Sequence, residues 1–244
     1  MPKYVSDENL AYYDEKLKAF MGENYAAKEE GKGLSSNDFT DEYKQMIDDL
    51  AYVKIAVNTM SATNSSNEIG ATVAAIEVTW TLNKTPKTQK IKFGSEAEET
   101  LGTDVRSKSY TGKTITANTT ITLTVTDERD AEVTRSVTIG FQPKVYWGVS
   151  AETTLDSAGI LALASSALAS SRARTLSVNA GAGQYIYYAI PSSFGTPTFN
   201  VGGFDGGFSK VATVSHQNAS GYTQSYDVWR SVNAGLGSTS VTVK

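Results

Sequence analysis

The chain has no cysteine, a single histidine, His216, and only five prolines among its 244 residues. Without thiols it has no disulfides, thiolate nucleophiles or cysteine metal sites. A catalytic triad or a zinc site would have to use His216, and no G-x-S-x-G elbow, second imidazole or thiolate accompanies it. We therefore expect no catalytic residue, no metal and no cofactor. The phrase VSHQNASGYT predicts that His216 is a partly exposed residue where a strand runs into a turn.

The chain also lacks an excess of basic residues and any long apolar run. Lys and Arg total 22 against 26 Asp and Glu, a net charge of −4, and no basic stripe exists to follow phosphates, so we expect no nucleic-acid partner. No run of about 18 apolar residues occurs, so we expect no membrane insertion. The N-terminal MPKYVSDENL is polar and lacks a basic-then-apolar signal, which predicts synthesis in a cytoplasm.

Acidic residues and lysines are concentrated in the N-terminal part, and residues 1–58 are predicted to be a helical stem or docking region. Ser6 is suited to cap a first helix, which Gly22 would end. Apolar residues recur along that helix at three- and four-residue steps, giving one narrow stripe. The stripe consists of Leu10, Tyr13, Leu17 and Phe20.

A second helix is predicted in DFTDEYKQMIDDLAYV, with a heptad seam of apolar residues. The seam consists of Phe39, Tyr43, Met46, Leu50, Val53 and Val57. Such a helix either lies on a neighbouring domain or associates with other copies of the chain. The polar stretch Thr59–Glu68, interpreted as a linker, favours self-association. Helices this short pack only marginally by themselves and would need help from the domains that follow.

From Ile69 the apolar period changes to two, as in half-buried strands. Ile76, Val78, Trp80 and Leu82 alternate with polar residues, and similar short strands follow up to Pro143. One central tryptophan among antiparallel strands at this spacing predicts an immunoglobulin-like β-sandwich over residues 59–143.

Residues 144–244 are predicted to form a second β-rich module with one helix. A strand is expected at 144–150, a helix capped by Asp156 over 155–171, and six further strands at about 174–179, 184–190, 197–201, 209–216, 224–231 and 239–243. The fold class is therefore mainly β with an α-helical N-terminus, in which short helices precede two β-sandwich-like modules in series.

The stretch GAGQYIYYAIPSSFGTPTFNVGGFDGGF, residues 181–208, has too many aromatic residues and too little charge for a solvated loop. Ile186, Tyr188 and Ile190 share one face of a strand, and Tyr185 and Tyr187 share the other. Tyr185 and Tyr187 are expected on an exposed face, where they contact either a neighbouring subunit or a sugar ring. Phe204 and Phe208 are expected to be plugs between strands. The candidate ligand or inter-subunit contacts are Tyr185, Tyr187, Phe204, Asp205, Phe208 and Trp229.

Two carboxylates in this module, Asp205 and Asp227, are a candidate glycosidase pair, since that chemistry needs two acids about 5–10 Å apart. Nothing in their spacing demands such a pair, so an enzyme is the minority interpretation. Asp205 also lacks the alternating oxygen ligands of a calcium loop, and a turn role among glycines is favoured.

Two stretches resemble proteins of bacteriophage fibres and baseplates. GKGLSSNDFTDEYKQMIDDL resembles the phrase G-L-S-T-N-D-F/Y-T … K-x-K-L, with Ser36 in the usual Thr place and Met46 in the usual Lys place. The C-terminal YWGVSA … SSRARTLSVNAGAGQYIYYAIP … GLGS is similar to a module that ends phage tail and fibre proteins, often after an immunoglobulin-like domain. The resemblance covers most of residues 31–244.

The resemblance implies a homotrimeric virion structural protein, made in the bacterial host cytoplasm, whose N-terminal helices dock on another virion protein. Three functions remain open. The protein is a fibre or baseplate appendage that attaches to host cell-surface glycan, a head fibre or decoration protein that only projects from the capsid, or a glycan-degrading fibre enzyme. No catalytic motif comes with the resemblance.

Overall fold

A computed structural model of the chain describes residues 7–24 and 41–244, with side chains for residues 10–20 and 44–244. The chain divides into two units, Met1–Val53 and Lys54–Lys244. The first unit contains helices and the second contains β-sandwiches. The predicted fold class, mainly β with a helical N-terminus, is confirmed.

Within its described residues, 7–24 and 41–53, the N-terminal unit contains two helices, α1 (Asp7–Asn24) and α2 (Asp41–Ala51). Helix α1 continues two residues beyond the predicted end at Gly22. Helix α2 ends at Ala51, so the seam predicted to run on to Val53 and Val57 is wrong beyond that point. Val57 instead begins a strand and is buried in a β core.

The first sandwich occupies the start of the second unit. Its strands are β1 (Val57–Ala62), β2 (Ser66–Glu68), β3 (Ile76–Leu82), β4 (Thr88–Phe93), β5 (Glu99–Leu101), β6 (Ser107–Tyr110), β7 (Thr119–Thr126) and β8 (Glu132–Gln142). They form a sheet of order β1-β3-β6 and a sheet of order β2-β8-β7-β4-β5, in which β2 runs parallel to β8 and the other pairs are antiparallel. This connectivity corresponds to the Greek-key arrangement of immunoglobulin-like sandwiches.

The stretch Thr59–Glu68 is not a linker, because it contains β1 and β2. Its polar residues face solvent and pair across strands. Thr59 Oγ1 lies 2.7 Å from Thr81 Oγ1, and Ser61 Oγ lies 3.0 Å from Thr79 Oγ1. A half-buried strand whose exposed face is hydroxyl-rich looks like a polar loop in sequence, which explains the error.

The second sandwich forms residues 144–244. Its strands are β9 (Lys144–Ser150), β10 (Ser165–Leu168), β11 (Arg174–Ala180), β12 (Tyr185–Pro191), β13 (Phe199–Val201), β14 (Phe204–Asp205), β15 (Phe208–Gln217), β16 (Thr223–Ser231) and β17 (Gly237–Val243). They form a five-stranded sheet of order β10-β9-β12-β16-β15 and a four-stranded sheet of order β11-β17-β13-β14. The strand at 144–150 and the six predicted after residue 171 are all found.

The predicted helix over 155–171 is much shorter than expected. Only α3 (Ser157–Leu161) is helical, and its cap is as predicted, since the Gly159 amide donates to the Asp156 carboxylate across 2.8 Å. Ser165–Leu168 instead forms β10, which pairs with β9. Alanine favours a helix, but local propensity is routinely overridden by tertiary context, and β9 offers this segment a ladder of backbone hydrogen bonds.

The two sandwiches are joined by a single residue, Pro143, and by direct contacts. Lys144 Nζ lies 3.0 Å from Glu68 Oε2, and the Tyr146 hydroxyl donates to Glu68 Oε1 across 3.2 Å. Asn218 Nδ2 donates to the Ile69 carbonyl across 2.7 Å. These contacts define the junction, a polar interface that holds the sandwiches in one unit.

Candidate functional site

Strand β12 is the centre of the five-stranded sheet, and both of its faces are covered. Ile186, Tyr188 and Ile190 belong to the core between the two sheets, as predicted. Tyr187 and Ala189 belong to a second core on the opposite face, which Leu155, Ile160 and Leu163 cover. The aromatic strand is therefore enclosed by its own chain.

The expectation of an exposed Tyr187 is wrong. Its side chain is fully buried, and its hydroxyl donates to the Glu152 carbonyl. Burial raises the pKa of Tyr187. The reason is the segment that connects β9 to β10, including α3, which folds back over this face of the sheet.

Tyr185 keeps part of its surface in solvent, where it pairs with Arg230. The guanidinium carbon of Arg230 lies 4.3 Å from the centre of the Tyr185 ring, a cation–π geometry. Arg230 Nη1 also donates to the Thr153 carbonyl. Of the two predicted tyrosine contacts, Tyr185 alone remains available to a ligand or neighbour, and it comes with an arginine that its local sequence does not indicate.

Phe208 and Trp229 take part in an aromatic cluster at the edge of the sandwich. The Phe208 ring stacks on Phe199 with centroids 4.2 Å apart, and Trp229 lies 5.6 Å from Phe199. Phe208 is therefore the plug between strands that the sequence predicted. Both rings pack against the core between the sheets.

Phe204 is not a plug, because 80% of its side chain is exposed. It follows a two-residue turn, Gly202–Gly203, in which both φ angles are positive (60° and 91°), and Val201 pairs with Phe204 across that turn. Positive φ at both central residues is the geometry of a tight type I′ hairpin, which glycine adopts readily. The turn therefore presents Phe204 to solvent.

The two candidate carboxylates lie in different sheets and have separate partners. Asp205, in β14, accepts from Asn200 Nδ2 across 2.7 Å. Asp227, in β16, is buried and accepts from Lys210 Nζ, Ser192 Oγ and Thr213 Oγ1. Burial opposes ionisation of Asp227, yet these three hydrogen bonds together lower its pKa. Each carboxylate is thus engaged with neighbouring segments of the chain, Asp205 with β13 and Asp227 with β15 and the turn after β12.

His216 is not a partly exposed turn residue, since it is only 1% exposed within β15. Its ring packs edge-on against Tyr226 and Tyr146, with centroids 4.5 and 5.2 Å away. Its Nδ1 lies 3.2 Å from Ser157 Oγ, and its Nε2 is buried without a hydrogen-bond partner. Burial lowers the pKa of His216. A serine–histidine contact is therefore present, but no carboxylate accepts from the second ring nitrogen.

The apolar stripe predicted on α1 is present, and each of its residues is more than half exposed. Its four residues, Leu10, Tyr13, Leu17 and Phe20, are 54–67% exposed. On α2, Met46 and Leu50 are exposed as well, as is Val53 just beyond the helix. The seam residue Phe39 and the side chain of the seam residue Tyr43 lie outside the described residues.

A shallow polar groove of about 480 Å³ crosses the outer face of the four-stranded sheet. Its polar walls come from Ser177 and Asn179 on β11 and from Ser238 and Ser240 on β17. These side chains carry no charge, so the groove offers hydroxyl and amide hydrogen bonds and no electrostatic attraction.

Across the described ranges 7–24 and 41–244, no group of three or more His, Asp or Glu side chains could hold a metal ion. Among the helices described, none is long and apolar enough to cross a membrane.

Comparison with known proteins gives one weak likeness. No protein-family model matches the chain, and no curated protein matches it. Among solved structures, chitinase ChiA74 from Bacillus thuringiensis aligns with a TM-score of 0.28 and 12% sequence identity. The alignment covers 99% of this chain and 37% of the chitinase. A TM-score this low carries no argument about fold or activity.

Proposed function

We propose that the chain is a bacteriophage virion structural protein, a homotrimeric fibre or baseplate-associated appendage that attaches to the host cell surface. The observation that carries the proposal is the apolar stripe on α1, whose residues Leu10, Tyr13 and Leu17 are 58–67% exposed and which precedes two β-sandwiches held in one unit. The resemblance of residues 31–244 to phage fibre proteins supports it independently.

The stripe on α1 has the spacing of a helix that packs on other helices. Leu10, Tyr13, Leu17 and Phe20 are separated by three, four and three residues, the a and d positions of two heptads. A narrow a/d stripe is typical of a coiled-coil seam, whereas a helix on a domain surface buries a wider face. Most of the stability of a helix in a protein comes from packing of its apolar face, so the exposure of Leu10, Tyr13 and Leu17 favours assembly.

The charges beside the stripe favour parallel copies. In the heptad frame set by Leu10 at position a, Asp14 occupies e and Lys16 occupies g. In an antiparallel pair centred on the stripe, e positions face e positions and g positions face g positions. Asp14 then lies near Asp14 of the other copy, and Lys16 lies near Lys16 of the other copy. A parallel assembly avoids both repulsions.

Host attachment is assigned to the second sandwich, with cell-surface glycan as the ligand class. Its exposed features are Phe204, the Tyr185–Arg230 pair and the neutral polar groove. Aromatic rings stack on sugar faces and hydroxyl-rich surfaces bond to sugar hydroxyls. Each such site is weak, and three copies on one appendage raise the overall affinity through multivalency.

The second candidate is a head fibre or decoration protein. The exposed α2 residues Met46, Ile47 and Leu50 favour it, because self-association through α1 leaves them free to dock on a capsid protein. Binding of purified protein to host cells or wall polysaccharide separates the two roles, since a decoration protein shows none. A glycan-degrading enzyme would release reducing sugar from the glycan, and this release would disappear in Asp205→Asn or Asp227→Asn.

Assembly through α1 can be tested by disulfide trapping, because the chain has no native cysteine. A single Leu10→Cys variant should form interchain disulfides quickly in a parallel assembly, where position 10 faces its own copy. Glu15→Cys, on the opposite face of α1, is the matched control and should stay reduced.

An antiparallel assembly would give disulfides only when Leu10→Cys and Phe20→Cys chains are mixed. That result would contradict the parallel arrangement. Equal trapping at positions 10 and 15, or none at position 10, would contradict assembly through the stripe.

A further inference from the structure

The chain's only histidine lies directly beneath the junction between the two sandwiches. The Tyr146 ring packs on His216, and the Tyr146 hydroxyl reaches across the junction to Glu68. One residue after His216, Gln217 leads into Asn218, whose side chain bonds to the Ile69 carbonyl. His216 therefore touches the contacts that hold the sandwiches together, although it makes none of them itself.

The surroundings of His216 suit a neutral ring. Ser157 from α3 contacts Nδ1, Tyr226 from β16 and Tyr146 from β9 contact the ring, and Nε2 has no partner. The charged groups nearby are Glu68 from β2 and Lys144 from β9. Both Glu68 oxygens are already bound, one by Lys144 and one by Tyr146.

The two sandwiches lie close together at Gly70 and Tyr222. A Cβ built on Gly70 would lie 2.4 Å from Tyr222 Cβ, a distance that real Cβ atoms essentially never show. Tyr222 belongs to the turn that follows β15, and its amide donates to Asn218 Oδ1 across 3.0 Å. Gln217 and Asn218 therefore connect His216 directly to this tightly fitted contact.

We propose that His216 makes the junction acid-sensitive: protonation of its ring loosens the contacts of Glu68 and Asn218 that hold the two sandwiches together. An imidazolium at this position must obtain a partner for each ring N–H. It does so either by drawing Glu68 away from Lys144 and Tyr146 or by admitting water beneath Tyr146. Either response weakens the junction while the sandwich cores, built from apolar residues, stay intact.

The direction of the pH dependence follows from burial. Burial lowers the pKa of His216 below the value of about 6.5 of an unfolded histidine, and the negative charge of Glu68 opposes this without cancelling it. The unfolded or opened state therefore binds more protons below that pH. The junction has its full stability above about pH 6.5, and this stability falls as the pH drops towards the pKa of His216 in the folded state. In that range the equilibrium constant for opening the junction rises by up to about tenfold per pH unit.

The wild-type chain allows a direct test, because its ring signals in an NMR titration come from one histidine. We expect His216 to remain neutral at pH 6.5 and to titrate below it. Hydrogen exchange, corrected for its intrinsic pH dependence, should reveal lost protection of the Asn218 side-chain amide, which donates to the Ile69 carbonyl across the junction, between pH 7 and pH 5. Amides in β7 and β17 should keep theirs over the same range.

A His216→Phe variant keeps a flat ring of similar size and cannot titrate. In this variant, protection of the Asn218 side-chain amide should be the same at pH 7 and pH 5. The proposal is overturned if the wild-type ring titrates at or above pH 6.5, if it titrates lower while junction protection stays constant, or if acid loosens the junction equally in His216→Phe. The wild-type titration decides the first two outcomes even if the variant fails to fold.

Discussion

In the core of the first sandwich, the Trp80 indole Nε1 donates to Gln89 Oε1 across 2.9 Å. Both side chains are buried. The Gln89 amide nitrogen in turn donates to the carbonyls of Gly102 and Val105, across 2.9 and 3.1 Å. One buried glutamine thus gives the indole N–H its acceptor and fastens the connection between β5 and β6 to the core.

Replacement of Gln89 by leucine should destabilise the protein by about 1–3 kcal/mol, because it leaves the Trp80 N–H buried without an acceptor. The measurement is the midpoint of denaturant unfolding followed by tryptophan fluorescence. Lys90→Ala, at the neighbouring exposed position on β4, is the control and should change stability by about 0.5 kcal/mol or less. Equal midpoints for Gln89→Leu and wild type would contradict the assigned role.

Mutation of Tyr187 should lower the stability of the protein, whereas mutation of Tyr185 should hardly change it. Tyr187→Phe removes the hydrogen bond to Glu152 and should cost about 1 kcal/mol, and Tyr187→Ala should cost about 3–5 kcal/mol because it opens a cavity beside β12. Tyr185→Phe should be nearly neutral, since its hydroxyl has no buried partner to lose. Thermal unfolding of the three variants tests this, and a neutral Tyr187→Ala would mean that the segment around α3 does not cover that face.

Phe204 and Phe208 form a second contrasting pair. Phe204→Ala should change stability by about 0.5 kcal/mol or less, because the ring has almost no contacts to lose. Phe208→Ala removes the stack on Phe199 and should cost about 2 kcal/mol or more. If Phe204→Ala proves as destabilising as Phe208→Ala in chemical unfolding, the hairpin does not present Phe204 to solvent.

Gly70 should be far more sensitive to substitution than another left-handed glycine. Gly112 has a φ of 67° with nothing within 4 Å of a built Cβ, so Gly112→Ala should cost only about 1–2 kcal/mol of backbone strain. Gly70→Ala carries similar strain, at φ 90°, and also collides with Tyr222. The thermal midpoint of Gly70→Ala should therefore fall clearly further than that of Gly112→Ala, and equal losses would contradict the tight fit of the junction.

Strands were predictable from sequence wherever one face is apolar and the other polar. The alternation around Trp80 and in β11 and β17 depends on the local pleat alone. β1 and β10 escaped prediction because their exposed residues, Asn58, Thr59 and Ser61 in β1 and Ser166 in β10, are short polar ones that are equally common in loops. Pairing with β3 and β9 decides their conformation, and such pairing joins residues distant in sequence.

The candidate site was less predictable than the fold for the same reason. Alternation places Tyr187 on one face of β12, but it does not reveal that the segment around α3 covers that face. His216 stands near turn residues in sequence, yet the tyrosines that bury it come from β9 and β16. Phe204 was misjudged because an aromatic residue between glycines resembles a plug as much as an exposed tip.

The mass of the full-length chain in solution tests the central proposal most directly. At micromolar concentration, mass photometry should find particles of three times the 26.1 kDa chain mass. A variant with Leu10→Glu and Leu17→Glu should fall to a single chain mass while its circular dichroism keeps the β signal of the sandwiches. A wild-type chain that remains at one chain mass would contradict the account of a homotrimeric appendage assembled through α1.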